Sequence, residues 1–489
     1  MAEKTRVLVI GGGVGGLSTA FYLEQAAKRQ GRSVQITVAE RSHRWGGVTE
    51  SSQQDGCLLE HGPDSIIRIK PGGKQLIDDL GLTNLIQDTN PACRTALIAR
   101  GPRLLPVPDG LYLMAPSRFL PFALSPIISW WGKLRMGLDL ILPRRNPDLG
   151  EESLADFVRR RLGHEALERL AQPMISGIYT ADPEELCLDL AMPQFAQMER
   201  DHRSLILAMR ANRKKQAQAH AEQEQASGPR YGLFLSLEGG LQTLVDRLVA
   251  SLSDQELLLH TAVSAIKRDE GKEGVYRVQL GDELTKRFDA VFCCTPAWAA
   301  ADMFRDLDPT LATELDGVQY GSVATVNLAF ERHQLAHLPS AAGFVVPAVE
   351  RRNVIACTFS SQKYLDRVPE DRVLLRAFVG GALQPWQLQA SDDEMTQRVL
   401  LDLDKWLGIT GKPVFTTVRR WERSMAQPTL GLAARMQRVQ EHLARLGNCY
   451  LVGSGFDGVG IPDVASQAKR VAEQFLGTVN LEAGCAEGL

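Results

Sequence analysis

Residues 7–23 read VLVIGGGVGGLSTAFYL, and their order decides the fold. Val7-Leu8-Val9-Ile10 is the continuous apolar run of a parallel strand buried on both faces, and apolar residues recur at helical spacing from Leu17 to Leu23. Between them Gly11, Gly13 and Gly16 occupy the G-x-G-x-x-G positions, with Gly12, Val14 and Gly15 filling the turn. Glycine there permits the tight turn, lets backbone approach a pyrophosphate and lets the helix pack closely on the strand. The N–H groups that open the helix then face the phosphates. Such a fingerprint is weak alone. A second strand, Val34–Ala39, makes it specific by ending at Glu40, an acid about twenty residues beyond the glycines, where a carboxylate bonds ribose hydroxyls.

Working outward, residues 40–47 read ERSHRWGG. An arginine beside a pyrophosphate neutralises charge, and the paired glycines allow a second close backbone approach. Near the other end, Tyr450–Gly455 runs as a strand into glycines, followed by Val459-Gly460-Ile461-Pro462-Asp463 and a helix to Phe475. Strand, turn and helix at both ends imply that the ends meet in one nucleotide domain, and the pattern after Glu40 favours FAD over NAD. The fold class is α/β: a Rossmann-like, glutathione-reductase-like FAD domain from residues 1–90, 228–300 and 440–489, a mixed-sheet substrate domain from 301–439, and a helical region from 91–227. Residues 211–230 read as an exposed helix end or linker, and the arginines within 151–172 as a solvated helix face.

Composition excludes several classes. A chain of 489 residues, 44% apolar, buries a large core, and its net charge of −3 gives no general attraction to nucleic acid. Met1–Thr5 leads straight into the first strand, so no secretory signal is expected and the reading is cytoplasmic. The eight cysteines form no C-x-x-C pair, which fits free thiols, and adjacent Cys293 and Cys294 read as core thiols. His333 and His337 lack a third ligand, so no metal site is expected. Phe119–Gly132, FLPFALSPIISWWG, is too short and too proline-broken to span a bilayer, and reads either as buried structure or as a surface resting among lipid headgroups. No acid, base or metal constellation stands out, as suits an enzyme whose flavin carries the chemistry.

The ordered set IGGGVGGLSTAFYL, ERSHRWGG, EHGPDSII, PMISGIYTADPEEL, MERDHRSLILAM, SLEGGLQTLVDRL, IACTFSS, LRAFVGGA and GFDGVGIPDVASQAK resembles the FAD-dependent porphyrinogen oxidases of haem synthesis, within the amine-oxidase superfamily. The likeness runs from about Arg6 to Phe475. It implies a six-electron oxidation of protoporphyrinogen IX, or of coproporphyrinogen III, in three hydride transfers, with O2 reoxidising non-covalent FAD and giving H2O2. By the same resemblance Gly11 to Gly16, Glu40, Arg41, Val48 and Gly62, Pro63, Asp64 and Ser65 hold FAD, Val263 meets adenine, and Trp421, Val459, Gly460 and Ile461 line the isoalloxazine. Arg94 takes a propionate, while Gly177, Val345, Thr358 and Phe378 line the macrocycle. The closing VGIPD and IACTFSS look like coproporphyrinogen oxidases of Gram-positive bacteria, whereas Arg94 and Phe378 look like protoporphyrinogen enzymes; the balance falls slightly to protoporphyrinogen, with both kept. The resemblance leaves room for peripheral membrane contact, a homodimer and hand-over to a chelatase, with no nucleic-acid partner. An amine oxidase or carotenoid desaturase, and a non-catalytic escort protein on the same fold, are the alternatives.

Overall fold

The computed structural model describes residues 4–108, 110–112, 114–116, 118–211, 232–271, 274–281 and 284–477. The expected linker lies outside these apart from residue 211. The apolar run Thr5–Ile10 is the central strand of a five-stranded parallel sheet, ordered Glu256–Leu258, Val34–Ala39, Thr5–Ile10, Ala290–Cys293, Cys449–Leu451. Both ends of the chain thus enter one sheet. Its first face is covered by the glycine-led helix Val14–Arg29, the helix Gln242–Ser251 and the closing helix Ile461–Phe475, through Leu17, Leu23, Val245, Leu248 and Ala468. Its second face packs Leu8, Ile10 and Val291 against the antiparallel strands at Val263–Arg268 and Tyr276–Leu280 and against Phe304, Leu311, Val439 and Leu443. The helices Pro309–Asp316 and Leu432–Leu446 therefore pack with the nucleotide sheet, which moves the boundaries drawn at 301 and 440.

A seven-stranded mixed sheet runs Phe415–Ala426, Tyr320–Glu331, Arg372–Gly380, Val354–Phe359, Gly343–Val345, Ala96–Arg100, Arg103–Pro106. Its last two strands come from the stretch read as helical, a correction at residue 91. They form a short hairpin about Gly101, whose φ of +56° suits glycine, and each run is too brief to show a period. The strand period of two then sorts side chains onto two faces. Ala324, Val326, Leu328, Val373, Leu375 and Ala377 bury one face against Val399 and Leu403 of the helix Asp392–Leu407. The alternate positions, Thr325, Asn327, Arg376 and Phe378, turn toward the nucleotide domain.

The third region is helical, with Phe157, Leu170, Ile175 and Phe195 at its core. Arg160 and Arg161 correct the solvated-face reading, while Arg159, 37% exposed and paired with Asp156, keeps it. Arg161 is fully buried and its Nε donates to Asp139 Oδ1 at 2.7 Å, while Arg160 pairs with Glu152 and Glu199. The stretch Phe119–Gly132 divides into the helix Phe119–Leu124 and the start of the helix Trp130–Gly137, which Ser129 caps by accepting the Gly132 N–H at 3.1 Å. Trp130, Trp131 and Leu134 are 68%, 82% and 64% exposed. No described helix is long and apolar enough to cross a membrane.

Candidate cofactor and substrate site

The glycines of the first turn divide by what surrounds them. A side chain at Gly16 would run into Gly11 O, and one at Gly12 into the Trp45 ring, so both are required by packing. Gly11, at φ +107°, would push a Cβ to 2.7 Å from Cys294 O. Gly13 differs: it caps the helix at φ −73° and ψ 176°, backbone that any residue adopts, and a Cβ there meets nothing closer than Gly47 Cα at 3.9 Å. Packing does not require glycine at this position. The space beside it forms a cradle between the opening helix and the loop Arg44–Gly47, which Gly46 N–H ties to Gly12 O at 2.8 Å. The open side of Gly13 and the positive end of the helix suit a diphosphate.

The second strand delivers Glu40 to the same turn, where its carboxylate accepts the N–H groups of Gly12 at 2.6 Å and Ser42 at 2.8 Å. Arg41 lies over the Trp298 ring, 5.5 Å from its centroid. Val48 is exposed beside Gly47, and Gly62 is required because a side chain would run into Val48 O. Val263 sits beside Thr261, whose N–H donates to Glu40 O at 2.8 Å, so the proposed adenine contact adjoins the ribose acid. Val459, Gly460 and Ile461 form the half-buried start of the closing helix, where Asp463 accepts the Gly460 N–H at 3.2 Å.

The loop holding Gly62, Pro63, Asp64 and Ser65 is clamped onto the polar face of the mixed sheet. Thr325 Oγ1 and Trp421 Nε1 both donate to His61 O, at 2.8 and 2.7 Å, and Asn327 Nδ2 donates to Glu60 O at 3.3 Å. Arg376 donates to Gly62 O at 2.9 Å and pairs with Asp64 at 3.0 Å, and Lys363 reaches both Asp64 oxygens at 2.9 Å. Burial opposes a charge on Asp64, but Arg376 and Lys363 outweigh it and hold the carboxyl far below its ordinary range. Thr325, Asn327, Arg376 and Lys363 escaped the sequence reading. They did leave a signal in part, Thr325 and Asn327 as alternating polar residues inside VATVNLAF and Arg376 as the lone polar residue inside VLLRAFVG.

Four of the five proposed substrate residues converge on that face. Phe378 lies opposite Thr325 and Ala356, Thr358 opposite Gly343 and Arg376, and Val345 opposite Ala356. The helix Gln172–Tyr179 crosses above, so close that a Cβ on Gly177 would sit 3.2 Å from Val345 Cγ1. Arg94 stands apart, at the sheet's end just before Ala96–Arg100, exposed and with no hydrogen bond or ion pair among the described residues. Burial pushes the Cys293 thiol up to about 11 and that of Cys294 higher still, which disfavours a reactive thiolate at either position. The described residues contain no cluster of metal-ligating side chains, and His333 is exposed.

The chain is similar to known proteins over nearly its whole length. The model of flavin containing amine oxidoreductases matches residues 14–476. A protein of Bacillus subtilis named coproporphyrinogen III oxidase is 35% identical, the match covering 97% of this chain and 98% of that one. Protoporphyrinogen oxidase 2 of Arabidopsis thaliana is 26% identical over 86% of this chain and 83% of its own. A solved structure from Exiguobacterium sp. 255-15, named provisionally as a protoporphyrinogen oxidase, superposes with a TM-score of 0.84 at 31% identity, covering 97% and 99% of the two chains.

Proposed function

Since this chain belongs to the flavin containing amine oxidoreductases, and within them to the porphyrinogen oxidases, we propose that it is an FAD-dependent enzyme of haem synthesis whose substrate is coproporphyrinogen III. The observation that carries the choice is the higher identity with the relative that bears that name, 35%, against 31% with the structure provisionally named a protoporphyrinogen oxidase and 26% with the Arabidopsis enzyme. Protoporphyrinogen IX, toward which Arg94 and Phe378 point, remains the second reading.

When bound, FAD would supply the acceptor for one hydride in each of three cycles, with one O2 reoxidising it to H2O2 each time. The chain's own residues bind and orient. Gly13 and the N–H groups after it would hold the diphosphate, and Glu40 the ribose. Thr325, Asn327, Arg376 and Trp421 fix the segment 60–62 against the sheet, so the loop that would face the flavin keeps its shape through successive turnovers. Phe378, Val345 and Gly177 offer the macrocycle an apolar slot, Gly177 by keeping its helix low over the sheet. The test is anaerobic addition of coproporphyrinogen III to the purified yellow protein. The flavin band should bleach at once and return with air; an oxidised spectrum that stays unchanged contradicts the proposal.

Arg94, unpaired at the rim, is placed to take a substrate carboxylate. Arg94→Ala should raise KM by about tenfold or more and change kcat little, because a contact kept from ground state to transition state is uniform binding. Steady-state kinetics that leave KM unchanged remove Arg94 from the site. The exposed Trp130, Trp131 and Leu134 support the reading of peripheral lipid contact, with Lys133 held 4.4 Å from the Trp130 ring centroid. Replacing both tryptophans by serine should lower co-sedimentation with anionic vesicles by about tenfold or more, given the apolar area each offers. Equal sedimentation of variant and wild type excludes that surface.

A further inference from the structure

Beside Asp64 the charges do not balance. Lys363 and Arg376 both pair with this single carboxylate, at 2.9 and 3.0 Å. The neighbouring acid, Glu60, cannot supply the missing charge. It is taken by Arg367 at 3.3 Å and by the Ser51 hydroxyl and Leu241 N–H, and burial pushes its carboxyl up toward the neutral form. One cation of the group therefore has no anion of its own. Arg376 is nearly enclosed and engaged with Gly62 O and the Phe378 ring, 4.9 Å away, whereas Lys363 keeps 15% of its side chain open. Asp64 would stay neutralised by Arg376 if Lys363 turned outward.

Lys363 holds Asp64 from a turn that lies next in the chain to the proposed macrocycle face. It ends the short turn Ser360–Lys363 that follows Thr358, and Thr358 and Phe378 belong to the proposed macrocycle face. Its carbonyl accepts the Asn90 N–H at 2.9 Å, and its Nζ lies 5.7 Å from the centroid of Phe234. Arg94 borders the same segment from the other side: a Cβ on Gly232 would sit 3.6 Å from Arg94 Nη2 and 3.5 Å from Phe234 O. Arg94, with no ion pair among the described residues, and Lys363, which shares its one carboxylate with Arg376, thus border one stretch of backbone at Gly232–Phe234.

We propose that Lys363 is a specificity-determining residue of the substrate site, forming with Arg94 a two-cation corner that binds propionate carboxylates of the porphyrinogen. A substrate carboxylate there supplies the negative charge that the Asp64 cluster lacks. The inference rests on the porphyrinogen reading above and concerns binding, so it can be tested without turnover.

The probe is coproporphyrin III, the oxidised macrocycle with its carboxylates intact, titrated by fluorescence into the FAD-loaded protein. Lys363→Met should weaken its binding by about tenfold or more, while Lys363→Arg stays within about threefold of wild type. FAD content and visible spectrum serve as the check on folding. Independently of any variant, the tetramethyl ester of the same porphyrin should bind wild type at least about tenfold more weakly than the free acid. An ester that binds as well as the acid, a Lys363→Met protein within about threefold of wild type, or equal losses in the Met and Arg variants each overturns the proposal. If the acid binds as expected but coproporphyrinogen III is not oxidised, the assigned activity fails and the corner stands.

Discussion

Gly13→Val should purify as a folded, colourless protein. The position is free of packing demands, since its backbone is ordinary and a Cβ meets nothing within 3.9 Å, so the valine enters the space assigned to the diphosphate and not the core. The expected result is loss of bound FAD, measured as released flavin per chain, together with a wild-type far-ultraviolet spectrum and loss of all oxidase activity. Gly16→Val provides the contrast, because its side chain would run into Gly11 O and should prevent folding itself. A Gly13→Val protein that keeps stoichiometric FAD contradicts the placement of the cofactor.

Arg161→Met should destabilise the helical region by about 3–5 kcal/mol, the range for removing one partner of a buried ion pair. Arg161 and Asp139 are both wholly enclosed, and Asp139 also accepts from Ser204 Oγ at 2.6 Å and Ile206 N–H at 3.0 Å. The pair therefore joins the segment after Trp130–Gly137 to the helix Leu154–Arg161 and to the chain at 204–206. With the arginine gone, the carboxylate keeps those two donors but loses its counter-charge. A large fall in the urea midpoint is expected, and Asp139→Leu added to Arg161→Met should recover most of it, since replacing both partners removes the stranded charge. A single variant as stable as wild type would show that the pair contributes nothing.

The elements legible in the sequence are those whose signal is local. The glycine turn, the strand ending at Glu40 and the closing strand and helix each follow from a few adjacent residues, and all three meet in one sheet. Phe415–Ala426 escaped because it is an edge strand: FTTVRRWERSMA is half exposed along most of its length, so no apolar alternation marks it. Arg161 was misread because composition favours solvent for a basic run, whereas Asp139, twenty-two positions earlier in the chain, supplies a buried partner. The site divides in the same way. Gly13 and Glu40 announce themselves by spacing, but Asp64 acquires Lys363 and Arg376 from about three hundred residues away, and only the folded sheet brings them together.

The most direct test of the account is porphyrin formation in air, followed by fluorescence, with the purified protein given coproporphyrinogen III and protoporphyrinogen IX in parallel. The account predicts rapid appearance of coproporphyrin III with a clear preference over protoporphyrinogen IX. Preference for protoporphyrinogen IX would contradict the assigned substrate, and no porphyrin from either, with FAD bound, would contradict the assigned activity.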